Sequence, residues 1–589
     1  MLNIYVTNAH SCTTELKFCK FWNQQIKTKK INNVLIGGSR SGKEREESIT
    51  FTDGEYSIVL DGSIYNRDEL KITLSGHGIE FNSVRDEELF LKAYVFWGQE
   101  AFSKVNGIFS LVIYNAKRNE IICARDRLGV KPLYYSWQEG LFQICSKLLP
   151  IAGQNRNLSE EAVSAYLSCG YVPSPYTIIE NVSKLQPGCI LKLDLNNNTK
   201  EIIKYWKLAH CTINDISYED AKARVHELLK DVVRIMVDED EDFACFLSGG
   251  IDSALITAIA TKLTEKKIKT FTIGFESSKY DESKVAQQFS DILNTEHHIE
   301  ILTKEKFIEL LPAFIKAYDE PFGNSSAFPT MLLNSTTKKY VTTALAGDGG
   351  DEGFLGYSHF DSINKFKRLN KIPFILRKTL SIFLPRNNRF KTILTIKNED
   401  AFIERIFVGN QELLKTKQYN WLDTSYSDYK YLSKDSIQKA ADLNIELSVE
   451  NDSNVKVDRA SRAYGLQVRS PFLDYRIVEL ARCLPIEFRF SDGIRKKILR
   501  DILEIYIPRE IFEQPKKGFS IPLSDWLRTV LKDDIELQLN DHTLNLIPNL
   551  NLKKFKKMMR QHFDNKCDHS TLIWRVYVLA LWISANESH

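Results

Sequence analysis

The stretch Phe243-Ala244-Cys245-Phe246-Leu247-Ser248-Gly249-Gly250-Ile251-Asp252-Ser253 decides the fold of the larger part of this chain of 589 residues. Phe243 to Leu247 is an apolar run of strand length, the glycines make a turn, and residues from about Ser253 to Leu263 read as a helix. A second strand-like run, Lys269 to Phe275, follows. Strand, helix and strand at this spacing predict a parallel sheet with right-handed crossovers. Glycines let the backbone approach a ligand closely, and free N–H groups at a helix N-terminus favour anions. The Walker form of such a loop needs a lysine after its last glycine, and none stands here. Asp252 instead suits a pyrophosphate held through a metal ion, because Mg2+ takes one or two carboxylates plus phosphate oxygens. A merely tight glycine turn is the bland alternative, and the strand–helix context speaks against it.

Downstream, Gly347-Asp348-Gly349-Gly350-Asp351-Glu352 follows another strand-like run, Val341 to Ala346. Alone it reads equally well as a solvated turn. Beside the first motif it becomes the second half of a metal–pyrophosphate site. Upstream, Ser217-Tyr218-Glu219-Asp220 has the form of a capping box, and Val225, Leu228, Leu229, Val232, Val233 and Met236 follow at helical spacing. From about Ala401 the chain reads as largely helical. Residues from Phe360 to Tyr429 are basic and aromatic, with no sharp motif.

The first ~200 residues have a different texture, with short alternating or apolar runs at Ser57–Leu60, Phe109–Tyr114, Ile121–Ala124, Leu141–Cys145 and Ile190–Leu193. Asp53-Gly54 and Asp61-Gly62 read as turns between strands, and Asp86 to Trp97 reads as a helix. This is an antiparallel α+β pattern. The change of texture near Tyr205-Trp206 predicts two domains, residues 1–205 and 206–589.

Bulk properties exclude several classes. The chain is 43% hydrophobic and 26% charged, with a net charge of only +3, so nothing calls for a nucleic-acid partner. The short basic clusters Lys27–Lys30 and Arg495–Arg500 read as solvated faces or local site charge. No stretch reaches the ~18 apolar residues of a membrane span, and the start has no secretory signal pattern. The ten cysteines are scattered singly, without metal-like spacing, and read as free thiols of a reducing compartment. The expectation is a cytoplasmic protein with no membrane or nucleic-acid partner.

With these residues in view, the C-terminal two thirds resembles the asparagine synthetase family. Ser248 to Ser253 matches its pyrophosphatase-type ATP loop. Asp319-Glu320-Pro321-Phe322 with Ser325-Ser326, then Gly347 to Glu352 with Gly356-Tyr357, follow in the family's order, as do Val455 to Ser461, Arg469 to Asp474, and Lys516-Lys517-Gly518-Phe519 with Pro522 and Trp526. The resemblance implies an adenine-nucleotide α-hydrolase-like parallel α/β domain with a helical C-terminal part, ATP and Mg2+ as cofactors, and is compatible with a homodimer. It implies roles as well: Ser248, Gly249, Gly250, Asp252, Ser253 and Gly347 at ATP, Asp252 and Asp351 on the metal, Asp348 facing the acyl-adenylate, and Lys516 stabilising developing charge, with Lys517 as its neighbour.

The N-terminal part resembles the same family's glutaminase half, an Ntn-hydrolase-like antiparallel sandwich. Gly62 with Ile64-Tyr65-Asn66, Asp86-Glu87, Trp97-Gly98, Gly107-Ile108-Phe109 and Ala124 to Tyr135 match its scaffold. The chemistry departs from it. Class II glutaminases carry a Cys nucleophile immediately after the initiator Met, where this chain has Leu2. The usual oxyanion Asn is Asp61, which when ionised only accepts hydrogen bonds and repels an oxyanion. Losing an oxyanion donor costs about 10² to 10³ in rate, and losing a nucleophile on the order of 10⁶. The resemblance thus implies a degenerate glutaminase site at Leu2, Asp61, Gly62 and Asp86.

Three functions remain open. One is an amide ligase that adenylates a small-molecule or peptide carboxylate and joins it to ammonia or another amine. The second is a cyclase like the beta-lactam synthetases and lasso-peptide cyclases, using an amine of its own substrate. The third is a non-catalytic binding relative, which the intact Ser248, Asp252, Asp351 and Lys516 disfavour. The C-terminal motifs lean toward the first, and the altered N-terminal site toward the second.

Overall fold

The computed structural model describes residues 2–8, 27–40, 50–138, 140–152, 156–209, 211–213, 215–237, 242–385, 389–416, 422, 433–513 and 521–587. Its N-terminal strands are β1 (Leu2–Thr7), β2 (Lys27–Ile31), β3 (Val34–Arg40), β4 (Phe51–Asp53), β5 (Tyr56–Ile64), β6 (Gly107–Asn115), β7 (Glu120–Arg125), β8 (Tyr134–Gln138), β9 (Leu141–Cys145), β10 (Ser183–Lys184), β11 (Cys189–Asp194) and β12 (Thr199–Lys204). Among the described residues they form two antiparallel sheets, ordered β10-β8-β9-β1-β3-β2 and β12-β11-β7-β6-β5-β4. The central strand β6 shows why they stack. Val112 and Tyr114 point into the core between the sheets, with Ile4, Val6 and Ile144. The alternate residues Phe109, Leu111 and Ile113 point the other way. There they meet Leu70 and Leu74 of α1 (Arg67–Gly76) and Leu89 and Phe90 of α2 (Asp86–Trp97). This is the antiparallel sandwich that the resemblance implies, and it fits the α+β pattern of the sequence.

The second part is built on β13 (Phe243–Phe246), β14 (Lys269–Phe275), β15 (Glu296–Leu302), β16 (Thr343–Leu345) and β17 (Gln467–Arg469). All pairings in this sheet are parallel, in the order β15-β14-β13-β16-β17. One face packs on α3 (Tyr218–Met236) and α4 (Ile251–Ala260). Ser217 caps α3 by accepting from the Asp220 N–H, as its capping box predicts. The other face packs on α5 (Lys304–Ala317), α6 (Ala327–Thr337) and the C-terminal α7 (Ser570–Glu587). Trp574 of α7 is fully buried there, with its ring centroid 5.7 Å from Phe328 and 6.0 Å from Phe307.

Two local readings are corrected. Asp61-Gly62 is not a turn. It lies inside β5, with Asp61 opposite Ser110 and Gly62 opposite Phe109. The glycine is there because the neighbouring strand passes too close: a Cβ would stand 2.7 Å from the Phe109 Cα. The cysteines are also not all single. Cys211 and Cys483 form a disulfide with Cα atoms 5.2 Å apart. The segment after β12 runs past the end of the Tyr475–Cys483 helix, where the Ile213 N–H donates to the Cys483 carbonyl at 2.8 Å.

The two parts meet across a buried charge network centred on the helix Val455–Tyr464. Asp458 accepts from Lys131 at 3.1 Å, from Arg459 at 2.7 Å and from Arg462 at 3.3 Å. Arg462 also reaches Asp61 at 2.6 Å, and Arg459 reaches Asp319 at 3.1 Å. Lys131, Arg459 and Arg462 thus balance Asp61, Asp319 and Asp458. Burial alone would raise the pKa of Asp61 and Asp458, but Arg462 and Lys131 outweigh it and hold both carboxyls below the ordinary carboxylate range.

Arg462→Met should therefore lower stability by about 3 to 5 kcal/mol, because it leaves buried carboxylates short of a partner. The double variant Asp61→Asn/Arg462→Met should recover much of that loss in denaturant unfolding. The depressed carboxyls bind fewer protons when folded than when unfolded. Their contribution should be fully present above about pH 4 and lost as pH falls through the lower, folded-state values.

Candidate active site

The strand order fixes where a ligand can sit. From β13 the chain moves outward to β14 and β15, then returns to β16 on the opposite side of β13. Parallel sheets bind ligands at such a reversal, beyond the carboxyl ends of the two strands. β13 and β16 pair in register, Phe243 with Thr343 and Cys245 with Leu345. Their following loops, Ser248–Ser253 and Gly347–Glu352, therefore emerge side by side. The contact is close enough that a Cβ on Gly347 would stand 2.7 Å from the Ser253 nitrogen. The Ser248 and Ser253 hydroxyls bond each other at 2.9 Å, and the Gly250 N–H donates to Ser248 at 3.1 Å. The loop is braced before α4 begins, with that helix's N-terminus aimed into the crevice.

The resulting cleft has a volume of about 670 Å3. It is lined by both loops, by Phe271 to Ile273 of β14, and by Asn324, Tyr357, Asp452 and Lys456. A second chamber of about 360 Å3 shares Tyr357 and Asp452 with it and continues past His359, Phe407, Asn444 and Arg575.

The charges of the cleft are paired. Lys496 Nζ lies between Asp252 and Asp351, 2.6 Å from the latter. Burial works against its charge, but Asp252 and Asp351 prevail and hold its pKa above the ordinary lysine value. Lys456 Nζ lies 3.3 Å from Asp348 and is held up in the same way, burial being outweighed by Asp348 and Asp452. Behind them Glu352 accepts from the Tyr357 hydroxyl at 2.8 Å. Burial and the neighbouring Asp351 push its carboxyl up to about 7.

The structure thus brings together Ser248, Gly249, Gly250, Asp252, Ser253, Gly347, Asp348 and Asp351 in two adjoining loops. Lys516 and Lys517 lie outside the described residues. The lysine among Asp252 and Asp351 is Lys496, which sequence reasoning left in a basic cluster. It is delivered by a hairpin of β18 (Phe490–Ser491) and β19 (Ile494–Arg495). That hairpin turns through Asp492 and Gly493 at φ 53° and 80°, as a type I′ turn requires. Lys496 follows at φ 55°. Asp492-Gly493 between two short runs was the available signal.

At the second predicted site, Leu2 begins β1, paired with Arg40. Asp61 is engaged by Arg462. Gly62 lies beside Asp61 in β5. Asp86 accepts from the Ile64 N–H at 3.1 Å and pairs with Arg67 at 2.8 Å. Gln467, next to β16, donates to Ser63 at 2.7 Å. Two side chains of the larger part therefore contact the strand that carries this site.

Comparison with known proteins agrees with this geometry. Residues 224–584 match the family model described as asparagine synthase, and residues 43–206 that of a glutamine amidotransferase domain. The glutamine-hydrolyzing asparagine synthetase 1 of Bacillus subtilis is 28% identical over 574 residues, covering 92% of this chain and 87% of that protein. A putative glutamine-hydrolyzing asparagine synthetase of Methanocaldococcus jannaschii is 35% identical over 346 residues, covering 56% of this chain and 66% of that protein. A solved glutamine phosphoribosylpyrophosphate amidotransferase from B. subtilis overlaps 51% of this chain and 81% of its own, at 12% identity and a TM-score of 0.26, too slight to carry an argument. The chain belongs to the asparagine synthase family, and is with it an amide-forming carbon–nitrogen ligase that uses ATP.

Lys496→Met should remove the one cation shared by Asp252 and Asp351 among the described residues. Turnover, followed as pyrophosphate release, should fall by about 10² to 10³ while the circular dichroism spectrum stays unchanged. Wild-type turnover in that variant would take Lys496 out of the chemistry.

Proposed function

We propose that this chain adenylates a carboxylate, releases pyrophosphate, and lets ammonia or another amine displace AMP to form an amide. The observation that carries this reading is the meeting of the two loops at the sheet's reversal, with two aspartates around one cation. Ser248, Gly250 and Ser253 would grip the pyrophosphate through backbone and hydroxyl groups. The donor set fits Mg2+: Asp252 and Asp351 hold a positive charge between them, with room for phosphate oxygens to complete the shell. Mg2+ bound there would neutralise charge on the phosphates. Lys496, buried behind the two aspartates that line the cleft, would add a fixed cation on their far side, and being buried it is worth more than an exposed one. Asp348, held by Lys456, faces the cleft where the carboxyl would be activated and can accept a proton from the incoming amine.

Glutamine is not the nitrogen source in this reading. The Asp61–Arg462 pair supports that. An ionised carboxylate stands where a glutaminase needs a donor, and a guanidinium from the other part fixes its charge. The chamber that shares Tyr357 and Asp452 with the cleft would give an amine a way in between Ser168, Cys169 and Tyr171 of the N-terminal part and Phe407 and Arg575 of the larger one.

The test supplies ATP, Mg2+ and trial carboxylates, beginning with aspartate, with hydroxylamine to trap the acyl-adenylate. A hydroxamate with AMP and pyrophosphate is expected, and ADP with phosphate would reject the mechanism. With the productive carboxylate, ammonium should support turnover and glutamine should not. Glutamate release at a rate comparable with amide formation would overturn the nitrogen assignment. Asp252→Asn should abolish turnover in both arrangements.

A further inference from the structure

The helix Phe374–Ile382 is packed inside out. Its fully buried residues are Arg377 and Ser381. Its apolar residues face solvent instead: Ile375 is 76% exposed, Ile382 71% and the adjoining Phe383 80%, with Leu376 and Leu380 more than half exposed. At 100° per residue, Ile382, Ile375, Phe383, Leu376 and Leu380 fall in one arc of about 160°. Phe390 on the next helix, Arg389–Leu394, adds a further exposed ring. Isolated exposed leucines need no explanation, but an apolar arc interrupted by Thr379 alone does.

The inversion is held firmly. Arg377 donates to the Ile372, Ile396 and Lys397 carbonyls and to Asn370 Oδ1, at 2.9 to 3.1 Å. Its guanidinium also lies over the rings of Phe366 and Phe374. One buried arginine thus ties the helix to both neighbours and turns its greasy side outward.

The stretch of chain that carries the patch is basic. Between Asp361 and Glu399 the sequence has no acidic residue; Arg377 is buried and Lys367 is paired with Asp435, which leaves Lys365, Lys371, Lys378, Lys391 and Lys397 among its basic residues. Two copies meeting through this patch in a two-fold dimer would bring like charges face to face. A surface both apolar and anionic satisfies both features. We propose that this helix docks the protein on an anionic lipid bilayer, with the apolar arc in the headgroup–acyl boundary and the lysines and arginines at the lipid phosphates.

Surface docking requires no spanning helix, and none of the described helices is long and apolar enough to cross a membrane. The patch is joined to the cleft by the single helix Ser358–Leu369, whose first residue lines the cleft. Twelve residues at 1.5 Å each put the docking face about 18 Å away along that helix.

The experiment is sedimentation of the full chain with vesicles of phosphatidylcholine alone and of phosphatidylcholine mixed with phosphatidylglycerol. The protein should pellet with the mixed vesicles, less so as salt rises, and remain in solution with the neutral ones. The variant Ile375→Ser/Leu376→Ser/Phe383→Ser changes exposed side chains only and should keep wild-type melting and turnover. Its binding to the mixed vesicles should drop about tenfold or more. The proposal is overturned if the wild type ignores the mixed vesicles, if the triple variant binds as the wild type does, or if the wild type is a dimer that the variant dissolves.

Discussion

The ion triad of Asp252, Lys496 and Asp351 is the interaction on which the catalytic half depends. Each member comes from a different piece of chain: the start of the helix after β13, the loop after β16, and the hairpin that ends at β19. Parallel pairing of β13 with β16 brings the two carboxylates together, and at that distance they repel unless a cation lies between them. The buried lysine supplies one. Gly350 and Gly356 follow from this, since a Cβ on the first would stand 2.5 Å from Asp252 Oδ1 and one on the second 2.0 Å from Asp351 Oδ1.

The same economy shapes the junction of the two parts. The helix Val455–Tyr464 sends Lys456 toward the cleft and Asp458, Arg459 and Arg462 toward the N-terminal sandwich. Two turns of helix therefore position a group in the cleft and fasten the neighbouring part. The segment before it, Asn444–Asn454, is wound as a π-helix, and its Glu450 pairs with Arg125 of the sandwich. Wider windings of this kind recur where a helix has to re-aim side chains near a site.

What the sequence disclosed follows the range of its signals. The two glycine–aspartate loops were legible because their residues sit next to strand ends that announce themselves by apolar runs. β6 and α2 were legible from periodicity, and α3 from its cap. Lys496 was not, because a lysine within Arg495–Arg500 carries no mark of partners 244 residues away. Asp61-Gly62 has the local form of a turn, and only the register of β6 makes it strand. Cys211 and Cys483 are 272 residues apart, and no spacing rule links them. The helix Phe374–Ile382 has an unremarkable pattern in sequence, since periodicity gives the width of an apolar face and not the direction in which it points.

The Asp61–Arg462 pair has a consequence for how this chain can change over generations. A neutral residue at position 61 alone would leave the guanidinium, of Asp61 and Asp458, only the latter, and a neutral residue at position 462 alone would take from the Asp61 carboxylate its 2.6 Å ion pair. Each single step crosses a valley of several kcal/mol, a large share of the stability a protein has to spare. The pair therefore works as a ratchet. Drift can elaborate the arrangement around it, but replacing Asp61 by a neutral residue is least costly when position 462 changes with it.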